Sequence, residues 1–531
     1  MLAPRKSAPR NRMMRMSPEL ENGGLGNALT ASCPEGPYDQ PSNNGRQKKS
    51  ILDLPREGDP LVIKLIQEIA SYVPTDRDLC RMVRAHEYFA QTIIPPGSGV
   101  WRNRFMARYD PPPSYRTSEE VKYEYKTRSI ILDRAPSFQS GEGVKERIWL
   151  QVLTTLLAEA YTAKPYQQAD GSLWIPRNDA CIKAAIMESD FLNRPVVGDG
   201  SNFSVKPSRP FLSAQIATTY LALDLRLEFR SLRTDYDLAV VYGFAAPPPL
   251  ISDGDIDLFQ LLHIRNFWKR HLTNPGEDTF YAVYSNILER QRPKACWGGN
   301  CDKGHLETFW LGFYSCIHPL PRTLSELQER QTCGDLSTHL SRNDVQRLTL
   351  LPTPTTTTNN TTVWPPLFNS AHPISPTIPA ASRIYFHGTQ SPCTQPNPPP
   401  PPTTTTQERI LGFTEPLPSQ SSIPGWRRIC FIIYTVNAES VLAETYDTNT
   451  VDGDGNVVDD GVNGEGREEW FPSTWATDYF LLADGYEGVV LPGGGIMMGR
   501  WVDLIGTEGD GEMGMGTGVR ADMGPFIFWV G

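Results

Sequence analysis

The chain has 531 residues, 39% hydrophobic and 21% charged, with 47 Pro, 43 Gly and a formal net charge of -10. That is apolar enough for a real core, long enough for about three domains at roughly 150 residues each, and rich enough in breakers that much of the chain is expected as loop or tail. The best apolar run, Ile429 to Tyr434, is far shorter than the roughly 18 residues of a spanning helix, so no membrane association is expected.

Residues 1–52 mix Pro, Gly, Ser and Asn with Arg5, Lys6, Arg10, Arg12 and Arg15, and are expected to form a disordered basic tail. No apolar stretch follows these cations, so no secretory leader is expected. The nine cysteines then read as reduced thiols of a cytoplasmic or nuclear protein.

From Pro60 the pattern turns helical. Val62, Ile66, Ile69 and Val73 form one apolar stripe, and Pro74, which has no N–H to donate, ends it. Leu79, Met82, Ala85, Phe89 and Ile93 predict a second helix, stopped by Pro95-Pro96-Gly97; Trp101, Phe105 and Tyr109 predict a third. Three short helices make a small core that folds robustly only with a partner. A connector over 111–211 is expected to be mostly helical, with one helix across Val144–Tyr161.

A β-rich domain is expected from about residue 212, with β-like runs at Leu225–Phe229, Ala239–Tyr242 and Cys430–Val436 and one interrupting helix near Leu258–Leu272. Residues 352–406 hold 14 Pro and 14 Thr, a composition that cannot bury a core; within them Ile384–Gly388 predicts a single strand. Disordered insertions are expected at about 352–380, 391–408, 447–469 and 505–520. The run Gly488–Val490, a Pro-Gly-Gly-Gly turn and Ile496–Met498 predict a hairpin. The fold class is thus α+β and multidomain, ending in a barrel- or sandwich-like domain.

Residues 437–531 carry 18 Asp and Glu against three Arg. Phosphates are met by Lys and Arg, so this acidic end speaks against nucleic acid and favours a partner with a basic segment.

Chemistry is sparse. No phosphate-binding Gly-Lys, no G-x-S-x-G elbow and no H-E-x-x-H helix occurs. Asp452, Asp454, Asn456 and Asp459 start like a calcium loop, but Val457 stands where the sharp turn needs Gly and Asn463 where a bidentate Glu is needed. Cys296, Cys301, His305, Cys316 and His318 match no compact zinc spacing. No metal and no cofactor is therefore expected, and no catalytic residue is assigned.

Ile69-Ala70-Ser71-Tyr72-Val73-Pro74, followed by Asp78-Leu79, Met82, Phe89 and Trp101, resembles an F-box at 53–110. The resemblance implies that this unit binds a Skp-type adaptor, and through it a cullin, by Ile66, Ile69, Val73, Pro74, Leu79, Met82, Phe89 and Trp101. The segments HIRNFW at 263–268, WLGFY at 310–314, FTEPLPSQSSIPGW at 413–426, YEGVVLPGGGIMMGRW at 486–501 and GPFIFW at 524–529 resemble a group of large F-box proteins of filamentous fungi. The implied function is a non-catalytic substrate receptor of a cullin-based ubiquitin ligase. Its target, an unknown protein, is expected on a surface carrying Trp310, Tyr314, Trp426, Tyr486, Arg500 and Trp501, because aromatics and arginine dominate binding hot spots. Two alternatives stay open: an F-box protein acting with its adaptor outside ubiquitination, and a metal- or ligand-dependent enzyme built on the β domain.

Overall fold

The computed structural model describes residues 59–138, 141–163, 176–191, 213–223, 236–244, 249–275, 280–293, 306–317, 321, 323–332, 340–341, 344–353, 364, 369, 373–376, 378–393, 408–436, 480–505 and 523–531. The expected basic tail, the run Leu225–Phe229, the calcium-like loop, most of the Pro/Thr segment, the insertion at 447–469 and nearly all of that at 505–520 lie outside them. The elements below belong to one contact unit, Pro60–Gly531.

The first helix, α1 (Pro60–Tyr72), opens on proline at its first position and ends just before Pro74. Next comes α2 (Asp76–Ala85), whose N-cap Thr75 accepts the Asp78 N–H at 3.1 Å. The second apolar stripe is one helix in sequence but two in space. His86 turns extended at φ -156°, caps the following N–H of Tyr88 with its ring at 3.1 Å, and starts α3 (Glu87–Ile93). After Gly99, at φ +75°, runs α4 (Val100–Arg108).

Arg104 holds these pieces together. Its buried guanidinium donates to the Val73 carbonyl at 2.6 Å, just past the end of α1, and to Asp76 at 2.7 Å in the first turn of α2. The next helix, α5 (Ser118–Leu132), begins with a capping box: the Glu120 carboxylate accepts the Thr117 N–H at 2.8 Å and the Thr117 hydroxyl accepts the Glu120 N–H at 3.2 Å. Its Tyr125 hydroxyl joins the Arg104–Asp76 pair. Then follow α6 (Val144–Thr162), α7 (Arg177–Met187), α8 (Ala214–Ala222) and α9 (Leu238–Val241). The expected β-like run Ala239–Tyr242 is therefore mostly helix: Asp237 caps it, and its β-branched residues serve burial rather than pairing.

A small hairpin, β1 (Ile251–Ser252) and β2 (Asp255–Ile256), leads into α10 (Leu258–Thr273) and α11 (Tyr281–Asn286). Helices thus extend well past residue 212, where a β-rich domain was expected. α10 is buried on nearly all sides because it lies between α8, α9 and α11 and the barrel strand that carries Arg500.

The remaining strands form a closed eight-stranded antiparallel barrel with chain-order neighbours throughout. It comprises β3 (Phe309–Tyr314), β6 (Gln346–Pro352), β7 (Ile384–Pro392), β8 (Glu408–Pro416), β9 (Arg427–Val436), β10 (Phe480–Val490), β11 (Ile496–Asp503) and β12 (Met523–Val530), which closes on β3. The short β4 (Cys316–Ile317) and β5 (Leu340–Ser341) pair apart from it, with α12 (Leu324–Thr332) between them. The strand expected at Ile384–Gly388 is β7, and the hairpin expected at 488–498 is β10–β11.

Period-two alternation divides the barrel residues into an inside and an outside. Inside, Trp310, Leu348, Phe386, Phe431, Tyr486, Trp501, Phe526 and Phe528 fill the lumen. Outside on one flank, Leu311, Phe313, Met498, Ile527 and Trp529 join the core of the helical layer. Phe313 stacks on Trp268 of α10, and the Trp529 indole donates to the Gln291 carbonyl at 2.7 Å. On another outer patch Glu415 and Glu487 are bridged by Arg428, and Glu415 also binds Arg383 at 2.9 Å.

Candidate functional site

The residues expected to bind an adaptor separate into three groups. Ile66, Leu79 and Trp101 are core residues, 8%, 3% and 7% exposed, and are corrected from contact surface to internal packing. Trp101 is held there by its neighbours: its indole donates to the Ile94 carbonyl, its ring meets Tyr125, and Lys126 lies 4.8 Å over its face. Val73, Met82 and Phe89 are half-buried against the same core. Ile69 and Pro74 are exposed.

Ile69 belongs to an outward row that the reading of one stripe did not separate. Leu65, Ile69 and Tyr72 are 61%, 50% and 78% exposed, and Leu61 lies one turn earlier on the same face. The signal was present: spacings of 4, 4 and 3 in a helix that is apolar on two sides. The inward row is Val62, Ile66, Ala70 and Val73, with Ala70 rather than Ile69 at its centre. A small residue there lets α1 approach α4 closely.

At the end of α1 lies a polar anchor. Burial raises the Asp76 pKa, but the Tyr125 hydroxyl and the Arg104 guanidinium outweigh it and hold the carboxyl below its usual range. The outward row is thus mounted on helices joined by charge-assisted bonds.

The residues expected on a target-binding surface are corrected as a set. Trp310, Tyr314, Trp426, Tyr486 and Trp501 are between 0% and 5% exposed. Four of them are lumen core: Tyr314 meets Trp501 edge-on, and Tyr486 stacks on Phe431 at 4.6 Å. Trp426 packs outside the barrel against the helical layer. Each indole satisfies its N–H on backbone nearby, Trp310 on Glu307, Trp426 on Ile423 and Trp501 on Ser315, as buried tryptophans do. Arg500 points outward but is covered: it donates to the Val240 and Val241 carbonyls at the end of α9, and burial lowers its pKa. Close by, His263 accepts the Asp237 N–H on Nδ1 at 3.0 Å; burial, opposed by Asp237 and Asp257, pushes it down to about 4. The ring is neutral at pH 7 and ties α9 to α10.

Of the cysteine cluster only Cys316 is among the described residues; Cys296, Cys301, His305 and His318 lie outside them. Among the described residues no group of His, Cys, Asp or Glu is placed to hold a metal ion, and no helix is long and apolar enough to cross a membrane. In comparisons with protein-family models, curated proteins and solved structures, the chain matches none.

Proposed function

We propose that this chain is a non-catalytic substrate receptor of a cullin-based ubiquitin ligase, with α1–α4 acting as an F-box that docks a Skp-type adaptor. The observation that carries this reading is the row Leu65, Ile69 and Tyr72, apolar and half or more exposed on the helix that bears the resemblance. Water contact at such a row is unfavourable by about 25 cal/mol per Å² of apolar surface, which association would recover. The half-buried Val73, just past the end of α1, Met82 on α2 and Phe89 on α3 offer further apolar area. In this reading the ligase supplies the chemistry, and this chain supplies binding and positioning.

The test is co-expression of the full chain with a Skp-type adaptor, followed by size exclusion and calorimetry. A stable complex that is lost in a Leu65→Asp, Ile69→Asp double variant of unchanged melting temperature supports the reading. A wild type that fails to bind, or a double variant that binds equally well, overturns it. Adaptor capture without a cullin in the complex would move the function outside ubiquitination.

A further inference from the structure

Between α5 and α6 runs a groove of about 770 Å³ whose lining includes neither the outward row of α1 nor the barrel. Its walls are two parallel helical rows, Tyr123, Thr127 and Ile131 on α5 against Ile148, Val152 and Thr155 on α6. Tyr123 and Ile148 are 73% and 43% exposed, so large apolar side chains stand open to solvent along it.

One end is anionic. Glu119 and Glu120 line it and form no salt bridge among the described residues; Thr117 holds Oε2 of Glu120 through the capping box, and the nearby Arg116 favours its charge. The neighbouring Glu124 differs, since Arg116 and Arg128 both bind it. Arg128 is itself nearly fully buried and also holds Glu159 at 2.5 Å. Arg116 and Arg128 are thus spent on Glu124 and Glu159, while Glu119 and the Oε1 of Glu120 enter no ion pair among the described residues.

We infer that this groove docks an amphipathic helix of a partner protein, with an aliphatic row along Tyr123, Ile148 and Val152 and Lys or Arg over Glu119 and Glu120. Two ridges side by side accept a third helix by ridge-into-groove packing. A peptide added as a β-strand would need a free sheet edge, and helices present none. The groove, about 18 Å long over the thirteen residues from Glu119 to Ile131 of α5, matches three to four turns of such a guest. If the chain is a substrate receptor, this helix belongs to its target; the docking itself does not rest on that reading.

The probe is a phage-displayed library of helical 16-residue peptides, selected on the full chain. Enriched peptides are then measured by fluorescence anisotropy. The expected result is sequences with apolar residues at i, i+3 or i+4 and i+7 plus Lys or Arg at one end. Their affinity should fall about tenfold or more with Tyr123→Ala and with Ile148→Asp. With Glu119→Lys it should fall several-fold and lose salt dependence. Glu119 is exposed and outside the core, so that variant decides the matter even if Ile148→Asp unfolds. Failure to enrich any sequence, enrichment of acidic or non-periodic ones, or affinities unmoved by these substitutions overturns the inference. Adaptor binding, measured in parallel, is expected to be unchanged in all three variants.

Discussion

Arg104 meets Asp76 at 2.7 Å and the Val73 carbonyl at 2.6 Å, so one guanidinium on α4 closes the end of α1 onto the start of α2. Its side chain is 7% exposed and that of Asp76 34%. Removing the cation leaves a half-buried carboxylate and open carbonyls. Arg104→Met is expected to destabilise the protein by about 2 kcal/mol or more, less than a fully buried pair because water still reaches Asp76. A urea midpoint that hardly moves would show that the pair contributes little.

Asp110 carries a second buried charge with an opposite effect. Its Oδ1 accepts the Arg177 N–H at 2.7 Å, while Oδ2 has no hydrogen-bond partner among the described residues. Burial pushes its pKa up to about 6, against the N–H groups of Arg177 and Asn178. The folded state therefore holds this proton more tightly than the unfolded chain, so ionisation costs stability as pH rises from about 4 to 6, and the cost persists above. Asp110→Asn keeps the acceptor and removes the charge. Its stability relative to wild type is expected to improve by about 2 kcal/mol between pH 4 and pH 7. Parallel pH profiles for the two proteins would contradict this.

Ser421 and Ser422 form the tip of a tight turn at φ +44° and +72°, closed by paired bonds between Gln420 and Ile423. Left-handed backbone is unfavourable for side chains other than Gly and Asn, and here Ser422 is exposed and makes no contact that offsets it. Ser422→Gly is expected to raise stability by about 0.5–1 kcal/mol, read as a higher melting temperature. A lower one would mean that the serine has a role in the turn.

Trp501 fills the lumen beside Tyr314 and Tyr486. Trp501→Ala is expected to cost about 3–5 kcal/mol and to lower the unfolding midpoint severely, with partner binding lost only as the barrel unfolds. A stable Trp501→Ala protein that loses a partner would return this residue to a recognition role.

Local pattern was legible wherever it answered to one neighbour. The stop at Pro74, the helix over 258–272, the strand at 384–388 and the hairpin around Pro492–Gly495 follow from backbone chemistry confined to a few residues. What failed needed knowledge of a distant surface. Val62 and Leu61 are both apolar on α1, and only the position of α4 and its Arg104 decides which row faces inward. Lumen tryptophans and surface tryptophans carry the same turn signals in sequence.

Residue type and spacing by themselves determined an α+β chain with an undersized helical unit, one long interrupting helix and a strand-rich end, because helix and strand periods are local properties of the backbone. Only the tertiary structure decided that the strands close into a barrel, that Trp310, Tyr486 and Trp501 fill it, and that α10 is covered by its outer wall. Closure pairs β12 with β3 across more than two hundred residues, and no local interaction carries that information.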